Sequence, residues 1–177
     1  MTSADFSVIN IFMSSRSLAS NDLYLLDKQG DIAEHLIKAL NKANHRIYIF
    51  SRRLNPLFFN NESVADALSK TARSSRRSDI RILVERPQSV VELNHKLLKL
   101  SQRLPSKIVI QKITVEPQDD YEFVIIDNDK IWLQHQEDIY TGFTNYNARP
   151  EVKRFEVVFN DLWKNSTEDV RLRRLSL

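Results

Sequence analysis

The chain has 177 residues, 42% of them hydrophobic and 28% charged, which is enough for one domain with a single substantial core. It has no cysteine, so a disulfide framework, a thiolate nucleophile and a zinc ribbon are excluded. The net charge of +3, from 26 basic and 23 acidic residues, is too balanced to indicate nucleic-acid binding by itself.

The sequence contains no apolar run close to the ~20 residues that a membrane-spanning helix needs. The short apolar stretch from Val8 to Met13 has no preceding Lys or Arg and no small-residue cleavage site after it. We therefore expect no secretory signal, no membrane partner and a cytoplasmic location. The only glycines are Gly30 and Gly142, which excludes a P-loop and a dinucleotide fingerprint, because both need several glycines close together.

In chain order, residues 1–20 are rich in serine and are predicted to be a flexible arm, and residues 21–177 are predicted to be the single domain. The predicted strands are residues 23–26, 45–50, 79–84, 107–110, 121–127 and 130–133. The predicted helices begin at Asp31, near Ser63, near Ser89 and at Pro150.

This alternation predicts an α/β fold with a mixed, mostly parallel sheet of about six or seven strands and helices on both faces. The strands at 45–50, 79–84 and 121–127 are almost continuously apolar, so we expect them to be central and covered on both sides.

The order of the segments is distinctive. A helix, the strand that ends at Phe50, an amphipathic helix, the strand that ends at Val84 and then a strand that runs into Asp127 resemble one half of a phospholipase D-like domain. The closing repeat of Phe155, Phe159 and Trp163 is similar to the helix that ends such domains. The resemblance covers residues 23 to 166 and implies the phospholipase D-like fold. The chain is also similar to small bacterial domains of this class that accompany acetyltransferases.

Active members of the resembled family carry His-x-Lys-x-x-x-x-Asp, in which the His attacks phosphorus and the Lys steadies the phosphate oxygens. Alignment on Asp127 puts Asp120 at the His position and Glu122 at the Lys position, so the motif is degenerate. The family's Gly-Ser-x-Asn element is replaced by residues 133–136. A carboxylate about 4 Å from a phosphate charge costs on the order of 4 kcal/mol at an effective dielectric near 20.

The resemblance therefore implies a catalytically silent phospholipase D-like module that binds or interacts with an unknown ligand, without a catalytic residue or a cofactor. One alternative is a metal-assisted hydrolase that re-uses Asp120, Glu122 and His135, because carboxylates are suitable ligands for Mg²⁺ and Ca²⁺. However, Asp127 has the opposite parity to Asp120 and Glu122 along the strand. We interpret the acidic run as a solvated strand end with a polar turn and assign no metal.

Ligands of open α/β sheets lie beyond the carboxyl ends of the strands. The candidate ligand-binding residues there are Arg52, Arg53, Arg86 and His135. Ion pairing with the acids at 116–129 is the open alternative for these side chains.

The third predicted helix, about Ser89 to Leu104, has a buried stripe that includes Leu93 and an outer face that is half apolar. The outer face, a possible interface, consists of Val91, His95 and Leu98, beside a basic stripe of Lys96, Lys99 and Arg103. Nucleic-acid binding through this stripe and the tail residues Arg171, Arg173 and Arg174 is the third, less favoured alternative. Pairing of single-half members in the resembled family implies a homodimer, across the motif edge or through the outer face. The remaining alternative for a partner is a different protein.

Overall fold

The computed structural model describes residues 22–117, 120–135 and 140–173, so the predicted arm at 1–20 lies outside the described residues. The strands are β1 (Leu23–Leu26), β2 (Arg46–Phe50), β3 (Asp79–Val84), β4 (Ile108–Ile113), β5 (Tyr121–Ile126), β6 (Lys130–His135), β7 (Thr141–Asn145) and β8 (Ser166–Thr167). The helices are α1 (Gln29–Asn41), α2 (Pro56–Phe59), α3 (Glu62–Ser74), α4 (Pro87–Glu92), α5 (Lys96–Arg103) and α6 (Arg149–Lys164), followed by a 3₁₀ turn (Val170–Leu172).

The described strands form one eight-stranded mixed sheet in the order β1-β7-β6-β5-β2-β3-β4-β8, which confirms the predicted α/β class. The strands predicted to be central, now β2, β3 and β5, lie next to one another in the middle. The sheet is less parallel than expected. Only β2–β3 and β3–β4 run parallel, and the five other pairings of described strands are antiparallel. Helical crossovers connect the parallel strands, whereas the short turn after β5 returns the chain directly into an antiparallel neighbour.

The sheet is buried on both faces. Along β5, Val124 and Ile126 belong to the core beneath α1 and α3–α5, whereas Phe123 and Ile125 belong to the core beneath α6. Alternate side chains of a strand point to opposite faces, which explains why β5 is apolar at nearly every position. Trp132 of β6 is fully buried and donates its indole N–H to the carbonyl of Ile32 at 3.1 Å, which anchors α1 on the sheet.

The predicted single helix from about Ser89 to Leu104 is two helices, α4 and α5. Asn94 has a φ of 48°, in the left-handed region that Asn adopts more readily than most residues, and it interrupts the helical backbone. The break changes which residues face the core. His95 and Leu98, predicted on the outer face, are 0% and 6% exposed, and Leu93, predicted to be buried, is 47% exposed.

The predicted exposed interface is therefore wrong for His95 and Leu98, and Val91 is half-buried against the same core. His95 instead caps α5, because its Nδ1 accepts the backbone N–H of Leu97 at 3.2 Å. Of the basic stripe, Lys99 and Arg103 are exposed, whereas Lys96 forms an ion pair with Glu62 of α3. Burial lowers the pKa of His95 to about 4, although the backbone of Leu54 acts in the opposite direction.

Acidification is expected to destabilise the protein through His95. Its pKa is lowered from 6.5 to about 4 in the folded state, so between these values the unfolded chain binds a proton that the folded chain does not. Stability present above pH 6.5 is lost as the pH falls toward 4, by about 3 kcal/mol in total. Urea unfolding at several pH values measures this loss. The matched variant His95→Asn keeps a capping acceptor and removes the titration, and an equally steep pH dependence in it would contradict the assignment.

Candidate functional site

The three motif positions do not converge. Glu122 lies near the start of β5 and Asp127 follows its end, so five residue steps of extended strand put them about 16 Å apart. Asp120 precedes β5 on the Glu122 side. Within the described ranges no three His, Asp or Glu side chains form a group that could hold a metal ion. The geometry therefore gives no support to the metal-assisted hydrolase.

Glu122 is a buried carboxylate with 2% exposure. Its Oε2 accepts the hydroxyl of Ser51 at 2.8 Å, and its Oε1 accepts the backbone N–H of Arg52 at 2.9 Å. The Ser51 hydroxyl oxygen in turn accepts the N–H of Leu54 at 3.0 Å. The carboxylate therefore holds the loop that follows β2 against β5. The interpretation of the acidic run as a solvated strand end is wrong for Glu122, since this side chain points into the core beneath α1 and α3, and correct for the exposed Asp120.

Arg52 connects the ends of three strands. Its guanidinium contacts Glu85, after β3, at 2.7 Å and Asp120, before β5, at 2.8 Å. Its side chain is only 15% exposed, so these contacts are partly shielded from water. For Arg52, the alternative of ion pairing with an acid of the 116–129 segment is therefore what the structure shows.

The other candidate ligand residues separate into two places. Arg53 and Arg86 line one open cleft of about 450 Å³ at the carboxyl end of β3. His135 ends β6, in register with Tyr121, three strand positions from β3 and therefore about 14 Å away. Sequence reasoning missed Lys112 in this cleft. Lys112 is paired with Val84 at the end of β3, and this strand register is the signal that could have placed Lys112 in the cleft.

Two of the tail residues predicted to bind nucleic acid form ion pairs with acidic residues of the same segment. Arg171 is paired with Asp169 at 2.7 Å, and Arg173 is paired with Glu168 at 2.7 Å. Arg174 lies outside the described residues.

Asp127 performs a structural role at the opposite end of β5, where it is 5% exposed. Its Oδ2 accepts the backbone N–H and the side-chain amide of Asn44, both at 2.9 Å. Its Oδ1 accepts the backbone N–H groups of His45 and Arg46 at 3.1 and 3.2 Å. Burial acts to raise the pKa of Asp127, but these hydrogen bonds outweigh it and hold the pKa below its usual value. The carboxylate therefore fixes the start of β2.

The fold is similar to that of solved structures from the phospholipase D family. Nuc from Salmonella typhimurium is 11% identical, with a TM-score of 0.61 over 86% of this chain and 98% of that chain. Phosphatidylserine synthase from Haemophilus influenzae Rd KW20 is 11% identical, with a TM-score of 0.62 over 90% of this chain and 41% of that chain. TrmBL2, an archaeal chromatin protein, is 12% identical with a TM-score of 0.63. The match covers 94% of this chain and spans 61% of the TrmBL2 chain.

These likenesses confirm the fold that the resemblance implied. The family model described as a domain of unknown function, DUF7931, matches residues 28–175, and the chain belongs to this family. No curated protein matches the sequence. In the described residues no helix is both long enough and apolar enough to cross a membrane. The association with acetyltransferases stays a prediction.

Replacement of Asp127 by Asn is expected to destabilise the fold by about 2–3 kcal/mol, because buried N–H donors lose a charged acceptor. Asn also tolerates the φ of 52° at this position, so the change isolates the carboxylate. The matched control is Asp129→Asn in the same turn, whose carboxylate is paired with Lys130 and is partly exposed; it should cost less than about 1 kcal/mol. Equal losses in the two variants, measured by urea unfolding at pH 7, would contradict the role of Asp127.

Proposed function

We propose that the protein is a catalytically silent phospholipase D-like binding module. The observation that carries this proposal is the Glu122 carboxylate, at the position that the resemblance assigns to the phosphate-holding lysine. It is buried and already bonded to the Ser51 hydroxyl and the Arg52 N–H. Asp120, at the position of the nucleophilic His, is paired with Arg52. The fold is retained, while the groups needed for phosphoryl chemistry are replaced by acids that serve the structure.

The size of the repulsion between the Glu122 carboxylate and a phosphate supports the absence of phosphodiester hydrolysis at this position. A carboxylate at about 4 Å from a phosphate charge costs on the order of 4 kcal/mol at an effective dielectric near 20, or about a thousandfold in binding. Rotation of Glu122 away from a ligand would break its two hydrogen bonds and leave Ser51 without its acceptor. The site therefore has no inexpensive rearrangement that would admit a phosphodiester there.

Purified protein is expected not to hydrolyse bis(p-nitrophenyl) phosphate above the buffer rate, with or without added Mg²⁺. The double variant Asp120→His/Glu122→Lys should stay inactive, because the Gly-Ser-x-Asn element is absent as well. It should also be less stable, since a lysine would bury its ammonium beside the Arg52 backbone N–H. Release of p-nitrophenolate is the measurement. Reproducible turnover that disappears in Glu122→Gln, a neutral residue of the same shape, would contradict the silent site.

Nucleic-acid binding is the second candidate. TrmBL2, which shares the fold, is described as showing a novel mode of DNA binding, and Lys99 and Arg103 lie exposed one turn apart on α5. The pairing of Arg171 and Arg173 with neighbouring acids weakens the basic surface that this role requires. We therefore favour the silent binding module.

Self-association across the motif edge is part of the proposal. Asp120 is paired with Arg52 within its own chain, which reduces the like-charge repulsion across a two-fold at this edge. A groove of about 350 Å³ at the same edge is lined by Phe50, Val115 and Val158, and the last two are 41% and 37% exposed. Glu116 and Asp161 also line this groove, and its apolar part is buried favourably in a dimer.

Sedimentation at micromolar concentration is expected to report a dimer. Val115→Glu should convert it to a monomer, because it replaces an apolar contact by a third carboxylate beside Glu116 and Asp161 in the groove. The control Val157→Glu changes an exposed valine of α6 that does not line the groove and should leave the dimer intact. A parent protein that is monomeric at both low and high salt would remove the dimer from the proposal.

A further inference from the structure

Four basic side chains from four separate segments line one cleft beyond the carboxyl ends of β3 and β4. They are Arg53 after β2, Arg86 after β3, Lys112 on β4 and Arg171 in the 3₁₀ turn. The volume of the cleft, about 450 Å³, lies in the range of ~300–1,000 Å³ that small-molecule sites occupy. Long-range folding, not local sequence, brings these cations together.

The cleft carries excess positive charge. Glu85 and Glu92 are the acidic residues that line it with the four basic ones. Both have partners already: Glu85 is bound by Arg52 at 2.7 Å, and Glu92 accepts the side-chain amide of Gln88 at 2.8 Å. With Asp169, which pairs with Arg171, three acidic side chains face the four basic ones, so the cleft keeps a small excess of positive charge that attracts an anion.

The geometry also leaves cationic groups available to a ligand. Arg86 is 55% exposed on its side chain, and its Nε is 3.9 Å from Glu85, beyond hydrogen-bond distance. Lys112 is half-buried and makes no hydrogen bond or ion pair with any residue that the structure describes. Arg171 is paired with Asp169 through two contacts, at 2.9 and 2.7 Å, so it adds little net charge, and the cations available to a ligand are those of Arg86 and Lys112.

We propose that this cleft binds the phosphate group of a small phosphomonoester. Planar guanidinium groups donate paired hydrogen bonds to phosphate oxygens, and a lysine adds a point charge, so this set of side chains matches a dianion with several acceptor oxygens. Glu85 and Glu92 in the walls oppose a continuous polyanion, whose backbone would pass both carboxylates. The inference rests on the proposed binding module and gives its ligand a chemical class and a place away from Glu122 on β5.

Inorganic phosphate is the first probe, titrated at constant ionic strength against chloride and followed by amide chemical shifts. Saturable shifts are expected at the ends of β3 and β4. The variant Arg86→Gln/Lys112→Gln should bind at least about tenfold more weakly, since each lost charge-assisted bond is of that order. The control Arg77→Gln removes an exposed cation just before β3, at its opposite end, and should leave binding unchanged. Circular dichroism checks that each variant is folded, and the single change Arg86→Gln replaces the double variant if the latter is not.

Phenyl phosphate and a single-stranded oligonucleotide distinguish the sources of the phosphate group. Competition of phenyl phosphate with inorganic phosphate supports the proposal. Absence of saturable phosphate binding, or equal binding by parent and double variant, overturns it. Oligonucleotide binding that inorganic phosphate does not displace, with no phosphate site in this cleft, also overturns it and favours nucleic acid. Turnover of a phosphodiester would contradict the silent module alone, because this cleft is tested by binding and not by hydrolysis.

Discussion

The pairing of β2 with β5 is the constraint on which the rest of the structure depends. It joins the parallel strands β2, β3 and β4 to the antiparallel strands β5, β6, β7 and β1. The register runs from Ile47 opposite Ile126 to Phe50 opposite Phe123. A carboxylate from the β5 side closes each end of this pairing: Asp127 receives the N–H groups at the start of β2, and Glu122 receives those of the loop after it. Because both cores lie against these two strands, a slip in this register would displace both layers of helices.

The same two residues show how carboxylates are accommodated at motif positions of a phospholipase D-like fold. A buried carboxylate is tolerated only when its oxygens are hydrogen-bonded, and Glu122 and Asp127 both meet that condition with donors from β2 and its flanking loops. Arg52 then binds the remaining acids at that end of the sheet, Asp120 and Glu85. Farther along the same edge, beside β3 and β4, four basic and two acidic side chains line one cleft. The anion site that we propose accordingly lies away from β5.

Much of the fold could be predicted from the sequence because its central strands are long apolar runs that only a doubly covered sheet accommodates. The break at Asn94 could not, since a helical wheel assumes continuous helical backbone and a single left-handed residue changes every later assignment. Strand parity predicted Asp120 and Glu122 on one face but could not show that Glu122 is buried. Its partner Ser51 is 71 residues away in the chain, and nothing local in the sequence reports that contact. The cleft at Lys112 was missed for the same reason.

The two ends of the described sheet bear on how copies of the chain can meet. The outermost strands are β1, with four residues, and β8, with two, and these are the shortest strands of the sheet. An edge strand presents unpaired backbone N–H and C=O groups that can template pairing with a strand of another molecule, and short edges limit the number of such bonds. Although Leu25 of β1 is 80% exposed, four residues give little length for a continuous intermolecular sheet. The short edge strands of the described sheet therefore disfavour open-ended stacking of strands from one molecule to the next.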